Sequence, residues 1–289
     1  MQKWLLFVFS ALIAAALFFY SDDPFQPSNL SSGMPDRQEW DVQEPENTSA
    51  SQVEAILSQD FYFLNGGGQV WVFSSADDKY VLKLFKFKRF RPSLLVKILP
   101  HFSFLEPYRH NQTEKRAKKL TAAFNGHKIA FEHHREASGL IAVQLNPSPF
   151  AKKITLFEQS GVKRELNLYG TSFVLQKKGE TLETTLKTLL NQKNIQAVRM
   201  KISQLFELYL DLYRKGIYDQ DLGILHNVGT LGDRLIHLDV GRFVWDERVK
   251  DPEYQKKELL KINSKISAWL KQYDTQIYPQ IHTDTQKFF

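Results

Sequence analysis

Apolar and polar positions along this chain fall into four patterns, and each predicts a different element. From residue 4 to residue 20 the side chains are apolar without a period, interrupted by Ser10 and by no charge. A run of this length stands at the short end of what spans a bilayer as a helix, and it has no polar face. Phe18, Phe19 and Tyr20 occupy the place where a cleaved signal peptide carries small residues, which favours an uncleaved anchor over residues 1 to 20. Residues 21 to 52 reverse the character. They are rich in Pro, Ser, Asp, Glu and Asn, lack periodicity, and read as an acidic disordered linker.

Period-two patterns follow. "FYFLNGGGQVWVFSS" is apolar on both sides of three glycines, and "DDKYVLKLFKF" comes after a turn, so the two predict a hairpin. "GLIAVQLN", "KKITLFEQ", "KRELNLYG" and "TSFVLQKK" predict four further strands, the middle pair joined at Ser160-Gly161. Between these groups residues 111 to 137 are helical in pattern, with a break expected at Asn125-Gly126. After Gly179 the period becomes that of helices, over residues 181 to 190 and 194 to 215. In the second, Ile195, Val198, Ile202, Leu205, Phe206, Tyr209 and Leu212 recur at three- and four-residue spacing, and Gly216 is a natural stop. A last amphipathic helix is expected over residues 252 to 272. The order gives an α+β chain, with a sheet-rich part over 53–178 and a mainly helical part over 179–289.

Charge refines this picture. Residues 21 to 52 hold seven acidic side chains and one basic one, so the remainder is more basic than the formal net charge of +6 suggests. A basic globular part suits an anionic partner such as a phosphate or a lipid surface. With no cysteine in the chain, disulfides and thiolate nucleophiles are excluded. Lys3 precedes the apolar run and Asp22-Asp23 follow it, so the positive-inside rule sends the globular part out of the cytoplasm.

Several polar residues then fall in a suggestive order. Gly66, Gly67 and Gly68 form a turn whose backbone amides could approach a phosphate. Lys83 stands in the apolar "YVLKLF". After a helix ending in glycine come Asp219, Asp221, Asn227 and, in "LIHLDVG", Asp239. A lysine for phosphates, Asn and Asp for magnesium and an Asp beside an attacking hydroxyl are the parts that phosphoryl transfer uses. Taken singly, the same residues also suit a hairpin turn, a solvated lysine and Asx turns.

On these residues the chain from about 60 to 245 resembles the protein-kinase-like superfamily. "YVLK" is similar to the V-A-I-K strand, "KGIYDQDLGILHN" to the catalytic-loop phrase, and "LIHLDVG" to the run ending in D-F-G. The resemblance implies a two-lobe fold, ATP and Mg²⁺ as cofactors, Asp221 as the catalytic Asp, Asn227 and Asp239 as metal ligands, and Gly66, Gly67, Gly68 and Lys83 as nucleotide-binding residues. It also implies a helix Glu paired with Lys83, for which Glu132 is preferred over Glu114. Asp219 and Gln220 replace the usual His and Arg, Trp71 stands where the third glycine of the phosphate loop would fall, and no A-P-E follows Asp239. About 50 residues follow Asp239, too few for the subdomain that docks peptides. A sugar, lipid-linked or small-molecule acceptor is therefore expected. Because ATP is scarce outside the cytoplasm, a catalytically inactive pseudokinase serving as a tethered binding module is the alternative.

Residues 83 to 105 interleave Lys86, Lys88, Arg89, Arg91 and Lys97 with Phe85, Phe87 and Phe90. Such a stretch suits an anionic lipid surface better than nucleic acid in a tethered domain. The adjacent His133 and His134 point to different helix faces, make a poor metal pair, and are expected at the surface.

Overall fold

The computed structural model describes residues 25, 27–30, 36–43, 50–92, 96, 102, 103, 105–273 and 279. The anchor expected over residues 1 to 20 lies outside them. Among the described residues no helix is long and apolar enough to cross a membrane.

The period-two segments become one seven-stranded mixed sheet. β1 (Asp60–Gly66), β2 (Val70–Ser75) and β3 (Tyr80–Phe85) form an antiparallel meander. β7 (Phe173–Lys177) pairs with β3, and β4 (Leu140–Gln144) with β7. β5 (Lys153–Phe157) and β6 (Lys163–Asn167) form the expected hairpin, turning through Gly161 at φ 80°. That hairpin joins the opposite edge, where β5 runs parallel to β1, giving the order β4-β7-β3-β2-β1-β5-β6.

Successive side chains on a strand point to opposite faces, and here both faces are covered. Leu82 and Leu84 of β3 join Phe61, Trp71, Phe73, Leu156 and Leu175 in one aromatic-rich cluster. Helix α1 (Ala50–Leu57) closes that face with Ile56 and Leu57. Phe85 and Val174 face the other way, against Phe124 and Ala130 of helix α2 (Glu106–His133). Lys83 is in phase with Phe85, which places it on the α2 side.

In the segment 21–52, expected as a disordered linker, the described residues around Phe25, Leu30 and Trp40 are docked. Phe25 meets Trp71 edge-on at 5.3 Å, and Leu30 and Trp40 are buried. Trp40 packs on Phe124 at 4.9 Å. The acidic composition hides these few large apolar side chains, yet burying each one contributes about 1.5–3 kcal/mol. The helical pattern also differs: α2 runs unbroken through Asn125-Gly126 and is followed by the short α3 (Arg135–Ser138). Gly126 is there for proximity. A Cβ at that position would stand 2.4 Å from the Val240 carbonyl oxygen and 2.8 Å from the Gly241 carbonyl carbon.

Beyond β7 come β8 (Glu180–Thr181), α4 (Leu182–Asn191) and α5 (Ile195–Arg214). Thr181 and Asn194 cap the two helices, accepting from the amides of Thr184 and Ala197. The α5 positions read from the sequence are buried, with Ile195 at the margin. β9 (Ile217–Asp219), α6 (Ile224–Asn227), the hairpin β10 (Val228–Leu231) and β11 (Arg234–His237), and β12 (Phe243–Trp245) follow, and α7 (Pro252–Tyr273) packs last. One continuous cluster unites α2, the α2 side of the sheet and these later helices. The core therefore crosses the expected division at 178/179.

Candidate functional site

Two ladders assemble the polar residues of the 216–243 stretch. β9 pairs antiparallel with β12, setting Asp219 opposite Phe243, and the Gln220 amide donates to the Arg242 carbonyl at 3.2 Å. The β10–β11 hairpin returns the chain to Asn227. The Asn227 carbonyl accepts from the amides of Leu238 at 2.7 Å and Asp239 at 3.2 Å. Twelve positions apart in sequence, Asn227 and Asp239 are thus tied together through the backbone.

Asp221 and Asn227 converge over Gly223. The Asp221 Oδ1 accepts from the Gly223 amide at 3.0 Å, and the Asn227 Nδ2 donates to the Asp221 carbonyl at 3.5 Å. A Cβ on Gly223 would lie 3.1 Å from the Asp221 Oδ1 and 3.0 Å from the Asn227 Nδ2. The absent side chain leaves room for both. Asp221 is exposed and Asn227 half-buried, so both reach solvent.

Asp219, two residues earlier, is buried. It accepts from the Asp221 amide at 2.9 Å and from the Tyr209 hydroxyl at 3.4 Å. Burial, together with the carboxylates of Asp221 and Asp239, pushes it up to about 7 despite these donors. Its place is structural, as the position of Asp219 in the loop suggests.

Lys83 reaches this loop from the sheet. Its ammonium, held at the protein interior, donates to the Leu238 carbonyl at 2.5 Å, one residue before Asp239. Burial pulls Lys83 below its ordinary range against the opposing pull of Asp239. The Asp239 side chain is crowded by protein, which pushes it up, yet it stays open to solvent. Lys83, the Gly241 amide at 3.0 Å, His127 and Arg242 together hold it below the usual carboxylate range. Asp239 is therefore a solvent-exposed carboxylate with the Lys83 cation behind it.

The residue completing this group is His127, which the sequence reading passed over. It is buried on α2, and its Nδ1 lies 2.8 Å from the Ala123 carbonyl, an acceptor that assigns the proton to Nδ1. Burial keeps it neutral, with Lys83 and Asp239 pulling in opposite senses. Its Cε1 and the Asp239 Oδ1 each lie 3.4 Å from the point where a Gly241 Cβ would stand. A histidine at this point in a helix carries no periodic or spacing signal that would single it out.

Glu132 is elsewhere. Its Oε1 accepts from the Gln43 amide at 3.0 Å, and it lies beside His133. The expected pairing with Lys83 is not formed, because Glu132 stands five residues, more than one helical turn, beyond His127. The glycine turn is also apart. Gly66 closes the β1–β2 ladder against Trp71, and the turn meets Lys86, Phe63 and Val70. The hollow beside it, about 680 Å³, is lined by Phe25, Trp71, Lys86 and Glu158 and opens on the aromatic side of the sheet, opposite Lys83. Trp71 points into the core and does not obstruct the turn.

His134, expected at the surface, is buried. Its Nε2 lies 3.1 Å from the His237 Nδ1, and its Nδ1 lies 3.2 Å from the Lys215 Nζ. Among the described residues no group of three or more His, Asp or Glu could hold a metal ion. In the 83–105 stretch Phe85 and Phe87 turn inward onto Phe124, Phe90 packs on Phe87, and the buried Lys86 lies over the Trp71 ring at 5.0 Å, so these rings join the core and do not face a lipid surface.

No family model matches the chain, and no curated protein matches it. Among solved structures, the bifunctional kinase-methyltransferase WbdD matches with a TM-score of 0.35 at 13% identity, over 76% of this chain and 43% of that one. Rv3197 from Mycobacterium tuberculosis, solved in complex with erythromycin, matches with a TM-score of 0.35 at 13% identity, over 69% of this chain and 53% of that one. The chain thus spans about half the length of either protein. At this level the likeness carries no functional weight, and what stands is coarse: a mixed α+β chain around a large mixed sheet, weakly similar to a kinase-bearing protein.

Proposed function

We propose that Lys83 and the 219–241 loop together form a kinase-like phosphotransfer site using ATP and Mg²⁺. The acceptor is a hydroxyl on a sugar, lipid-linked or small molecule. The reading includes the tether at residues 1 to 20 and a globular part outside the cytoplasm. The observation that carries it is the backbone tie of Asn227 to Asp239, with the Lys83 ammonium donating one residue away at Leu238.

The donor set fits the cofactor. The Asp239 carboxylate and the Asn227 amide oxygen are hard oxygen ligands, and Mg²⁺ is commonly held by one or two protein groups together with phosphates. Bound MgATP would supply the transferable phosphoryl group. Lys83 supplies a fixed positive charge for the phosphates. Asp221, one oxygen held by the Gly223 amide, keeps the other for the proton of the acceptor hydroxyl. Gly66, Gly67, Gly68 and Glu132 have no part in this version of the site.

A second reading, a binding module without turnover, is favoured by one observation. Lys83 is engaged with the Leu238 carbonyl and has His127, not a carboxylate, beside it on α2. Calorimetry on the full chain in uncharged detergent, with MgATP and with ATP alone, separates the readings. Asp239→Asn should weaken Mg²⁺-dependent binding by about tenfold or more. Asp221→Asn should leave binding intact and lower turnover by about 10²–10⁴-fold. Binding without turnover, with Asp221→Asn silent, supports the second reading. No nucleotide binding with or without Mg²⁺ ends both.

A further inference from the structure

Positive charge gathers on one side of α2. Arg116 and Lys119 stand one turn apart there. Lys119, Ala123 and His127 recur at four-residue spacing, so they share one row of the helix. Arg116 is fixed by the 3-10 turn Phe87–Phe90, its Nη1 donating to the Arg89 carbonyl at 2.9 Å. Arg242 comes from the other flank. The 240–242 backbone crosses α2 at Gly126, where the Arg242 amide nitrogen lies 3.1 Å from the point a Cβ would occupy. Lys119 ties the group together: burial and then Arg116, Arg242 and Arg89 pull its ammonium below the ordinary range. Among the described residues no carboxylate acts on it. Like charges held together in this way repel, and a bound anion removes that cost.

Arg242 joins this group to the candidate site. It attracts the Asp239 carboxylate and helps to keep it ionised. Across the β9–β12 ladder the Arg242 carbonyl accepts from the Gln220 amide at 3.2 Å, and Gln220 is the neighbour of Asp221. In the phosphotransfer reading the nucleotide phosphates and Mg²⁺ fall to Lys83, Asn227 and Asp239, and neither Arg116 nor Lys119 is called on. The cations therefore exceed what the nucleotide requires, and they extend from the residues beside Asp221, the carboxylate that faces the acceptor.

We propose that Arg116, Lys119 and Arg242 form a seat for a phosphate monoester that the acceptor itself carries. The hydroxyl at Asp221 then belongs to a molecule already phosphorylated elsewhere. The acceptor's role rests on the phosphotransfer reading, and the binding rests on the cation group alone. Guanidinium groups suit phosphate because their planar donors match its oxygens, and the lysine adds a compact charge. A monoester concentrates close to two negative charges on one group, which suits cations gathered around one point. Nucleic acid spreads its charges along a strand and is met by a stripe of cations.

The test follows the phosphorus NMR line width of glucose 6-phosphate with the full chain in uncharged detergent, without nucleotide. The line should broaden, inorganic phosphate should reverse the broadening, and excess glucose should not. The combined variant Arg116→Gln/Lys119→Gln/Arg242→Gln should raise the half-saturation concentration by about tenfold or more; if it fails to fold, Lys119→Gln alone should give a smaller shift in the same direction. Lys118→Gln, on another face of α2 and paired with Glu114, should change nothing. An unbroadened line, displacement by glucose, or broadening that persists in the folded combined variant overturns the proposal. Phosphatidic acid doped into the micelles and competing at lower concentration than inorganic phosphate would keep the seat and assign its phosphate to a lipid. Nucleotide titration separates the two readings. Glucose 6-phosphate binding in a chain that takes no MgATP keeps the phosphate seat and overturns its role for an acceptor. Loss of MgATP binding in the combined variant, with glucose 6-phosphate unaffected, gives the cations to the nucleotide and overturns the seat.

Discussion

The two faces of the seven-stranded sheet are built to opposite rules. On one, Phe25, Phe61, Trp71, Phe73, Leu82 and Leu84 make an aromatic and aliphatic layer, with edge-to-face rings at 5.2 and 5.3 Å. On the other, Lys83 and His127 are buried beside hydrophobic groups, and Gln176 donates to the Ser138 and His237 carbonyls. Burying a polar group costs free energy unless it is bonded. Both faces carry core, but a fold that concentrates such groups on one of them keeps the candidate site to one side of the sheet.

The sharpest way to break that separation is Trp71→Ala. Removing a fully buried indole should lower the unfolding free energy by roughly 3–5 kcal/mol, measured by urea denaturation. Nucleotide binding per folded molecule should not change. A parallel loss of binding would show that the faces are coupled.

The polar side should also show in pH dependence, with two opposed terms. Burial and then Lys215 bring His134 down to about 4 from 6.5, against Asp211. The unfolded state then binds more protons, so stability falls as pH drops from 6.5 toward 4. Asp219 is raised from 3.8 to about 7. There the folded state binds more protons, so stability falls as pH rises from about 4 to 7. At about 1.4 kcal/mol per unit, these are roughly 3 and 4 kcal/mol, and His127 and His237, which burial also holds below their ordinary range, act in the same sense as His134. Asp219→Asn should steepen the rise in stability between pH 4 and 6.5, and His134→Gln should flatten it. Denaturation midpoints across pH 4–8 that keep one slope in both variants would refute the assignment.

The smallest effect expected is that of Glu132→Gln. The amide oxygen can still accept from the Gln43 amide, so stability should move by less than about 0.5 kcal/mol and nucleotide titrations should be unchanged. A clear loss of binding would return Glu132 to the Lys83 side.

Much of the fold was legible because its signals are local. The strand pairs around residue 161 and the helices capped by Thr181 and Asn194 carry period and punctuation together, and the structure follows them closely. Within the site, Lys83, Asp221, Asn227 and Asp239 could be grouped because their order mirrors a known motif. What escaped depends on distant partners. Asn125-Gly126 reads as a break when only the helix is considered, and as a contact once Val240 is beside it. Phe25 and Trp40 sit in a segment whose average is polar. His127 outranks Glu132 through its distance from Lys83, and nothing in the local pattern encodes that distance.

The close contact at Gly126 has a mechanical consequence. Helix α2 has 28 residues, a rod of about 42 Å at 1.5 Å per residue. Its backbone rests on Val240 and Gly241 about 30 Å from one end and 10 Å from the other. Any side chain at position 126 would therefore have to push the rod off the segment that carries Asp239, so this one hydrogen-sized position sets how closely helix and loop can approach.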